Sequence, residues 1–333
     1  MNGMRTLITG GAGFIGSHLA DRLLADGAEL TILDDLSTGR YANVAHLEGK
    51  PGVTLIVDSV LNERLMEDLI RGSDRVFHLA SAVGVKLIME QPVKTIETIF
   101  RGTEIVLKNC SRYRKRVLIP SSSEVYGKGV SVPFREDDDV LTGATKKHRW
   151  AYACAKSLDE FLALAHFKET RLPVSVVRLF NTVGPRQSGH YGMVVPRFVQ
   201  SALAGEPIEV HGDGKQSRCF AHVADIVDVF ARVLETPECF GEVINLGNDT
   251  EVTVEQLAQT VVQLTKSKSE IRRIPYDAVY GAGFEDMQRR VPCLEKAKRL
   301  LGYTPSRDLK TIILDVASAL TREGSGVRGQ GSE

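Results

Sequence analysis

The stretch that decides the fold is Arg5-Thr6-Leu7-Ile8-Thr9-Gly10-Gly11-Ala12-Gly13-Phe14-Ile15-Gly16, near the start of a chain of 333 residues. Its first five residues have the apolar and β-branched character of a short buried strand. The glycines that follow permit a tight turn and let the backbone approach a ligand closely. An amphipathic stretch from Ser17 to Leu24 then predicts a helix directly after the turn.

A second predicted strand, Leu30–Leu33, ends in two acidic residues, Asp34 and Asp35. The order of strand, glycine turn, helix, strand and acid is typical of a dinucleotide-binding unit. The start of the helix offers N–H groups and a positive dipole to a pyrophosphate, and Asp34 can accept hydrogen bonds from the adenosine ribose. Because two adjacent acids would repel a 2′-phosphate, the sequence predicts NAD rather than NADP.

Strands and helices continue to alternate along the chain. Further strands are predicted at Val53–Val57, Arg75–Ala80, Val117–Pro120 and Val174–Leu179, and a long helix at Val93–Tyr113. This alternation indicates an α/β fold with a doubly wound parallel sheet. His78 is more typical of a packed residue than of a catalyst, and Asp58 either binds adenine or lies in a solvated turn. The predicted cofactor site comprises Gly10, Gly13, Phe14, Ile15, Gly16, Asp34, Asp35, Ser37, Thr38, Gly39, Asp58, Ser59, Leu79, Ala80, Ser81, Tyr152 and Lys156.

A second chemical pattern begins where the fifth predicted strand ends, at Ser121-Ser122-Ser123-Glu124, and continues at Tyr152-Ala153-Cys154-Ala155-Lys156. A Tyr and a Lys four residues apart share one helix face, with about 5–6 Å between their Cβ atoms. The Lys156 ammonium would favour the Tyr152 phenolate, which could then take a proton from an alcohol with help from Ser122. Alone, Tyr-x3-Lys is more often an ordinary helix surface, but beside a dinucleotide unit it suits oxidation of a secondary alcohol.

The pattern changes after Pro185, where turns become frequent. Helices are predicted near Val194–Leu203, Val223–Leu234, Val254–Leu264 and Leu309–Leu320, with short strands at Ile208–Val210 and Val243–Leu246. We therefore predict a Rossmann-type NAD-binding domain at residues 1–185, a substrate-binding lobe at 186–322 and a disordered tail at 323–333. Arg218 and Arg290 are candidates for binding a diphosphate, although either alone would more often be a surface charge.

Composition excludes several classes of function. The chain has 42 basic and 42 acidic residues, so its bulk charge favours neither nucleic acid nor an anionic membrane surface. The five cysteines are scattered and odd in number, which predicts neither a metal site nor a disulfide framework. The N-terminus has no apolar core of a signal peptide, and the expected location is the cytoplasm.

These features resemble the extended short-chain dehydrogenase/reductase superfamily of nucleotide-sugar epimerases, dehydratases and decarboxylases, over about residues 5–320. The resemblance rests on the glycine motif, Asp34, Asp58, Ser122, Tyr152-x3-Lys156, Phe180-Asn181 and Arg218. It implies tightly held NAD, a UDP-linked sugar and a homodimer. In the superfamily the helices corresponding to residues 93–113 and 152–167 commonly pair into a four-helix bundle, although these apolar faces could equally pack internally.

A narrower resemblance links residues 148–156 to UDP-apiose/xylose synthases and to the UDP-glucuronate decarboxylase domain of aminoarabinose synthesis. Residues 214–220 and 280–292 resemble that decarboxylase as well. This resemblance implies decarboxylation roles for Ser123, Glu124 and Arg290. The substrate site is expected at Arg149, Asn181, Arg197, Arg218 and Arg290. Ser123 stands where apiose synthases carry Cys and dehydratases usually carry Asp, which argues against ring contraction and 4,6-dehydration. Ile99 stands where the family often has Asn.

The expected reaction therefore proceeds through a ketone at C4 of the sugar. Either Arg149 or Arg290 could pair with a substrate carboxylate, which favours a UDP-glucuronate decarboxylase of the UDP-xylose-forming type. A UDP-sugar 4-epimerase is the alternative, because it would use the same C4 oxidation. A non-catalytic NAD-binding regulator remains a third possibility, since a fold does not fix a function.

Overall fold

The computed structural model describes residues 3–81, 91–129, 131–189, 193–280 and 287–327. The strands are β1 (Arg5–Thr9), β2 (Glu29–Asp34), β3 (Val53–Val57), β4 (Arg75–His78), β5 (Arg116–Ser122), β6 (Val174–Leu179), β7 (Thr182–Val183), β8 (Ile208–His211), β9 (Ser217–Cys219), β10 (Ala221–His222), β11 (Val243–Leu246), β12 (Glu251–Thr253) and β13 (Ile271–Ile274). The helices are α1 (Phe14–Ala25), α2 (Glu63–Gly72), α3 (Pro92–Arg112), α4 (Arg149–Thr170), α5 (Val194–Ala204), α6 (Val223–Val233), α7 (Val254–Thr265), α8 (Tyr276–Tyr280), α9 (Glu295–Leu301) and α10 (Leu309–Val327).

Seven parallel strands form the central sheet, in the order β3-β2-β1-β4-β5-β6-β11. The strand order reverses between β1 and β4, and open sheets of this kind bind their ligands outside the carboxyl ends of the strands at such a point. The predicted α/β class and doubly wound Rossmann-type sheet are confirmed.

The sheet is buried on both faces, as expected of a parallel sheet covered by helices. Leu7 and Ile8 on β1 are both fully buried, yet they belong to different core clusters. The cluster around Ile8 includes residues of α1 and α6, and the cluster around Leu7 includes residues of α2 and α3. Because both faces require apolar residues, the strands read as continuous apolar runs.

The second lobe has a core of its own, in which α5, α7 and α10 pack around β8. Two short strand pairs, β13 with β8 and β12 with β9, lie in this part of the chain. None of the helices in the described ranges has the length and apolar composition needed to cross a membrane.

Two predicted boundaries change. The apolar strand β11 pairs with β6 and extends the central sheet, and α6 packs on α1, so the segment 186–322 contributes to both parts of the fold. The tail was predicted to be disordered from residue 323, but α10 continues to Val327. Extending an existing helix costs far less than nucleating one. Residues 328–333 lie outside the described part of the chain.

Candidate active site

A cavity of about 750 Å³ opens at the carboxyl ends of the central strands and continues to the second lobe. It brings together residues that are far apart in the sequence. The predicted site residues that line it are Gly10, Gly13, Phe14, Ile15, Gly16, Asp34, Asp35, Ser37, Thr38, Asp58, Leu79, Ala80, Ser81, Ser122, Ser123, Glu124, Arg149, Tyr152, Lys156, Asn181, Arg197, Arg218 and Arg290.

The glycine turn between β1 and α1 has the form that a dinucleotide requires. Gly10 adopts a positive φ of 70°, and a Cβ on Gly16 would lie 2.3 Å from the carbonyl oxygen of Gly10. No side chain among the described residues caps α1 at Gly13. Gly13, Phe14 and Ile15 at the start of the helix line the cavity, a position that suits a pyrophosphate.

The acidic end of β2 is held in place by backbone groups. The Asp34 carboxylate accepts hydrogen bonds from the N–H groups of Ala12 and Leu36, each at 2.9 Å. Gly39 does not line the cavity but packs against Asp34, where a Cβ would lie 2.6 Å from the carboxylate. Asp35 instead accepts from the N–H and hydroxyl of Ser37. Asp34 is therefore the acid that is fixed beside the glycine turn.

The ends of β3 and β4 complete this half of the cavity. Asp58 lines it, but its carboxylate also accepts from the N–H of Ser59 at 2.7 Å and from the Asn62 amide at 3.0 Å. Ser59 itself lies outside the lining. His78 is buried and its Nδ1 hydrogen-bonds with the Thr9 hydroxyl at 2.8 Å. Burial lowers the pKa of His78 to about 3, so it is a neutral packed residue that also reaches the cavity wall.

Tyr152 and Lys156 lie on one face of α4 beside the end of β5. Ser122 ends β5, and its hydroxyl accepts the Glu124 N–H at 3.2 Å. As a hydrogen-bonding neighbour of Tyr152, Ser122 acts to lower the pKa of the phenol. The Lys156 Nζ donates to the Pro120 carbonyl at 3.1 Å and contacts Asp159 at 3.4 Å. The sequence predicted that Lys156 would favour the Tyr152 phenolate, but the pKa of Tyr152 is raised. Burial is the main cause, and the negative charge of Glu124 adds to it.

Glu124 lies in a 3-10 turn (Ser123–Tyr126) that follows β5, and two guanidinium groups surround it. Arg290 Nη2 lies 2.7 Å from one carboxylate oxygen, and Arg149 Nη2 lies 3.6 Å from the other. Burial opposes ionisation of Glu124, but the charges of Arg290, Arg149 and Arg218 outweigh it and hold its pKa below the usual value. Glu124 is therefore a carboxylate, and a substrate carboxylate would share these arginines with it.

The far end of the cavity belongs largely to the second lobe. Asn181 donates to the Cys219 carbonyl at 3.1 Å, and Arg218 Nη1 donates to the Ser217 carbonyl at 2.7 Å. Arg197 Nη1 donates to His211 Nε2 at 2.9 Å. Burial, with the charge of Arg197, lowers the pKa of His211 to about 4, so its ring is a neutral acceptor. This end presents positive charge and hydrogen-bond donors to a ligand.

Sequence reasoning missed several residues that line the cavity, among them Arg186, His211, Gln216 and Tyr276. Arg186 directly follows Gly184-Pro185, adopts a positive φ of 66° and contacts Asp21 of α1 at 2.8 Å. Its position after a turn was an available signal. The other three carry no spacing pattern that distinguishes them. Within the described ranges, no group of three or more His, Cys, Asp or Glu is placed to hold a metal ion.

Comparison with known proteins identifies the family. The family profile described as GDP-mannose 4,6 dehydratase matches residues 7–316. A UDP-N-acetyl-alpha-D-glucosaminuronate decarboxylase from Bacillus cytotoxicus is 44% identical, covering 91% of this chain and 93% of that protein. A UDP-glucuronic acid decarboxylase 1 from Danio rerio is 38% identical, covering 90% of this chain and 69% of that protein.

A solved structure shows the same architecture with ligands bound. The UDP-glucuronic acid 4-epimerase of Bacillus cereus, in complex with UDP-glucuronic acid and NAD, has a TM-score of 0.86 to this chain and 25% identity. The match covers 96% of this chain and 100% of the epimerase. With the glycine turn, the Ser-Tyr-Lys set and the two-lobed cavity in place, this chain belongs to the GDP-mannose 4,6 dehydratase family, within the extended short-chain dehydrogenase/reductase superfamily.

Proposed function

We propose that this protein is an NAD-dependent decarboxylase of a UDP-linked uronate sugar, which it converts through a 4-keto intermediate. The observation that carries the proposal is the cluster of Glu124 with Arg149 and Arg290, in the same cavity as Tyr152 and its partners. The decarboxylases among the similar proteins support it.

In the first step, Tyr152 takes the proton of the C4 hydroxyl, and the hydrogen bond from Ser122 stabilises the phenolate. Lys156 is held against Pro120 and Asp159, which fixes its charge beside the cofactor and Tyr152. The glycine turn and Asp34 would hold NAD, which would supply the hydride acceptor for C4 and the hydride for the final reduction. The fixed Asp34 carboxylate favours NAD over NADP because it would repel a 2′-phosphate.

The ketone at C4 allows the C5–C6 bond to break. Carbon dioxide leaves from C6, and the electron pair of the bond remains at C5 as an enolate delocalised onto the C4 oxygen. Arg290 lines the cavity, and its guanidinium can donate to the substrate carboxylate while it also contacts Glu124. Because Arg290 already contacts Glu124, its positive charge only partly compensates the charge of the substrate carboxylate. Loss of the substrate carboxylate as carbon dioxide therefore relieves its repulsion by Glu124.

A proton must then reach C5. Since the pKa of Glu124 is lowered, it is a poor direct donor, and we assign to it and Arg290 the orientation of a water molecule that protonates C5. The hydroxide that this water leaves is neutralised by a proton from solvent. The C4 ketone is finally reduced, and Tyr152 returns its proton to the C4 oxygen. The proton and hydride taken in the first step are thus restored, and the net change is replacement of the C5 carboxylate by hydrogen.

The candidate substrates are UDP-glucuronate, which the sequence favours, and its 2-acetamido counterpart, which the B. cytotoxicus relative acts on by name. Inversion at C4 without loss of the carboxylate is the second candidate function. It is favoured by the similarity to an epimerase crystallised with UDP-glucuronic acid.

The test incubates the purified protein and NAD separately with UDP-glucuronate, its 2-acetamido counterpart, UDP-glucose and UDP-galactose, and follows products by NMR and carbon dioxide release. Decarboxylation predicts carbon dioxide and a UDP-pentose or UDP-4-keto-pentose from one of the two uronates only. Conversion of a uronate to its C4 epimer without carbon dioxide would replace the proposal by the epimerase. NAD binding with no turnover of any sugar would favour a regulator.

We also propose a homodimer. Leu158 and Phe161 on α4 are 47% and 66% exposed, and Val93 and Ile96 on α3 are 68% and 43% exposed. These helices pack against each other, and a second copy that covered the exposed residues would give a four-helix bundle. A location in the cytoplasm remains a proposal from the sequence, supported by the five free cysteines.

A further inference from the structure

Glu124 and Arg290 approach each other from separate parts of the chain, and neither lies on a strand of the central sheet. Arg290 belongs to the segment Met287–Cys293, which crosses between the two lobes. On the side of the second lobe, Ser217 donates its N–H to the Gln288 carbonyl at 2.9 Å. On the other side, Cys293 donates its N–H to the Phe134 carbonyl at 2.8 Å. Phe134 also donates its N–H to the Val291 carbonyl at 2.8 Å, so the position of Arg290 depends on Phe134 as well as on the second lobe.

One side chain contacts both supports of the ion pair. The Tyr126 hydroxyl donates to Asn245 Oδ1 at 2.7 Å, and Tyr126 lies in the same 3-10 turn as Glu124. Asn245 Nδ2 donates to the Phe134 carbonyl at 3.0 Å and to the Cys293 carbonyl at 3.4 Å. Asn245 thus connects the turn that carries Glu124 to the segment that carries Arg290.

The surroundings require an amide at this position. Asn245 is fully buried on β11, and the neighbouring Tyr126 and Phe134 rings are stacked with centroids 4.7 Å apart. A buried polar group is costly unless its hydrogen bonds are made. The amide meets this condition because its oxygen accepts from a hydroxyl while its nitrogen donates to carbonyls. An apolar side chain would remove the hydrogen bonds to the Tyr126 hydroxyl and the Cys293 carbonyl, and a carboxylate would repel the two carbonyl oxygens.

We propose that Asn245 is a positioning residue for the decarboxylation step. It is not among the described residues that line the cavity, so it acts through Glu124 and Arg290 rather than on the substrate. This inference rests on the proposed function. Lys156, by contrast, is fixed by the Pro120 carbonyl and Asp159, which Asn245 does not contact among the hydrogen bonds described. Loss of the Asn245 amide should therefore affect decarboxylation more than oxidation at C4.

The test compares Asn245→Ala and Tyr126→Phe with the wild type. Tyr126→Phe keeps the ring and removes only the hydroxyl, so it serves if the first variant folds poorly. Ser175→Ala is the matched control, because its buried hydroxyl donates to the Cys239 carbonyl at 2.8 Å elsewhere in the same sheet. The substrate is the uronate that the wild type decarboxylates. For each protein, single-turnover NADH formation reports oxidation at C4, and carbon dioxide release reports decarboxylation.

We expect carbon dioxide release to fall about 10²-fold in Asn245→Ala, the cost typical of a misplaced catalytic group. NADH formation should change by only a few fold, so that the 4-keto sugar accumulates. Tyr126→Phe should shift the same ratio in the same direction, and Ser175→Ala should leave it unchanged. Equal losses in both steps, or an unchanged ratio in both test variants, overturn the role of Asn245. A wild type that releases no carbon dioxide from any uronate overturns the proposed function as well, which distinguishes the two failures.

Discussion

The Arg290 guanidinium lies 2.7 Å from the Glu124 carboxylate, and Arg149 approaches the other oxygen of the same carboxylate at 3.6 Å. All three side chains are largely buried, so these charges interact with little screening by solvent. The arrangement keeps Glu124 ionised and holds two positive charges at the place where a uronate carboxylate would enter. It also makes Glu124 the residue whose replacement best separates the steps of the reaction.

Glu124→Gln should slow carbon dioxide release by about 10²-fold, because it removes both the charge that repels the substrate carboxylate and the ion pair that places Arg290. NADH formation in a single turnover should persist, because Tyr152, Ser122 and Lys156 are unchanged. The measurement is the ratio of the two rates with the uronate that the wild type decarboxylates. Tyr152→Phe is the control, since it removes the base of the first step and should abolish both signals. A Glu124→Gln enzyme with wild-type carbon dioxide release would contradict the assignment.

Asp34→Ala should weaken NAD binding, and Asp35→Asn should weaken it much less. Asp34 is fixed beside the glycine turn by two backbone N–H groups, whereas the Asp35 carboxylate accepts hydrogen bonds from Ser37. A lost hydrogen bond to a charged group costs about 1.5–3 kcal/mol, or roughly 10- to 150-fold in the dissociation constant. Titration of each variant with NAD and NADP measures both affinity and selectivity. Equal affinity of the wild type for the two cofactors would refute the role of Asp34.

Phe161→Glu should convert the proposed dimer to a monomer, because it places a charge on the exposed face of α4 at the centre of the expected bundle. Leu203→Glu is the matched control, since Leu203 is a similarly exposed apolar residue on α5 of the second lobe. Light scattering at micromolar concentration gives the mass of each protein. A monomeric wild type would contradict the proposed dimer. A Phe161→Glu protein that is still dimeric would show that the interface does not lie on the exposed face of α4.

The sequence was sufficient to locate the strands of the central sheet because strand and helix periods are local signals. The predicted strand Val174–Leu179 and the predicted segment Val243–Leu246 have the bounds that the structure gives them. Their pairing was not predictable from the same signals. Nothing in the composition of Val243–Leu246 distinguishes a strand of the second lobe from the last strand of the first sheet, and only the fold brings it beside β6.

The residues of the site also divide into those that local sequence signals reveal and those that only the folded chain brings together. Asp34, Tyr152 and Lys156 were found because their chemistry depends on short spacings. Arg186 and His211 were missed because their place in the cavity depends on packing between distant segments. The raised pKa of Tyr152 was also beyond the sequence, since it comes from burial and from the approach of Glu124 in the folded chain.

The raised pKa of Tyr152 leads to a prediction about pH. Burial is its main cause, the charges of Glu124 and Asp159 raise the pKa further, and Ser122 and Arg290 lower it. Oxidation at C4 needs Tyr152 as the base, so the rate of NADH formation should rise with pH on the alkaline side of neutrality. Asp159 is fully buried beside Lys156, and the Asp159→Asn substitution removes one of the charges that raise the pKa of Tyr152.

In Asp159→Asn the rising limb of the pH profile should therefore move toward lower pH, because a lower pKa places the phenolate at a lower pH. The measurement is kcat/KM for NADH formation across the pH range, with NAD saturating. Ser175→Ala is the control, because it removes a buried polar group that is remote from the site. Its pH profile should have the same rising limb as the wild type. A merely structural role of Asp159 would lower the rate at every pH and leave the limb in place. An unmoved limb would therefore contradict the electrostatic role of Asp159.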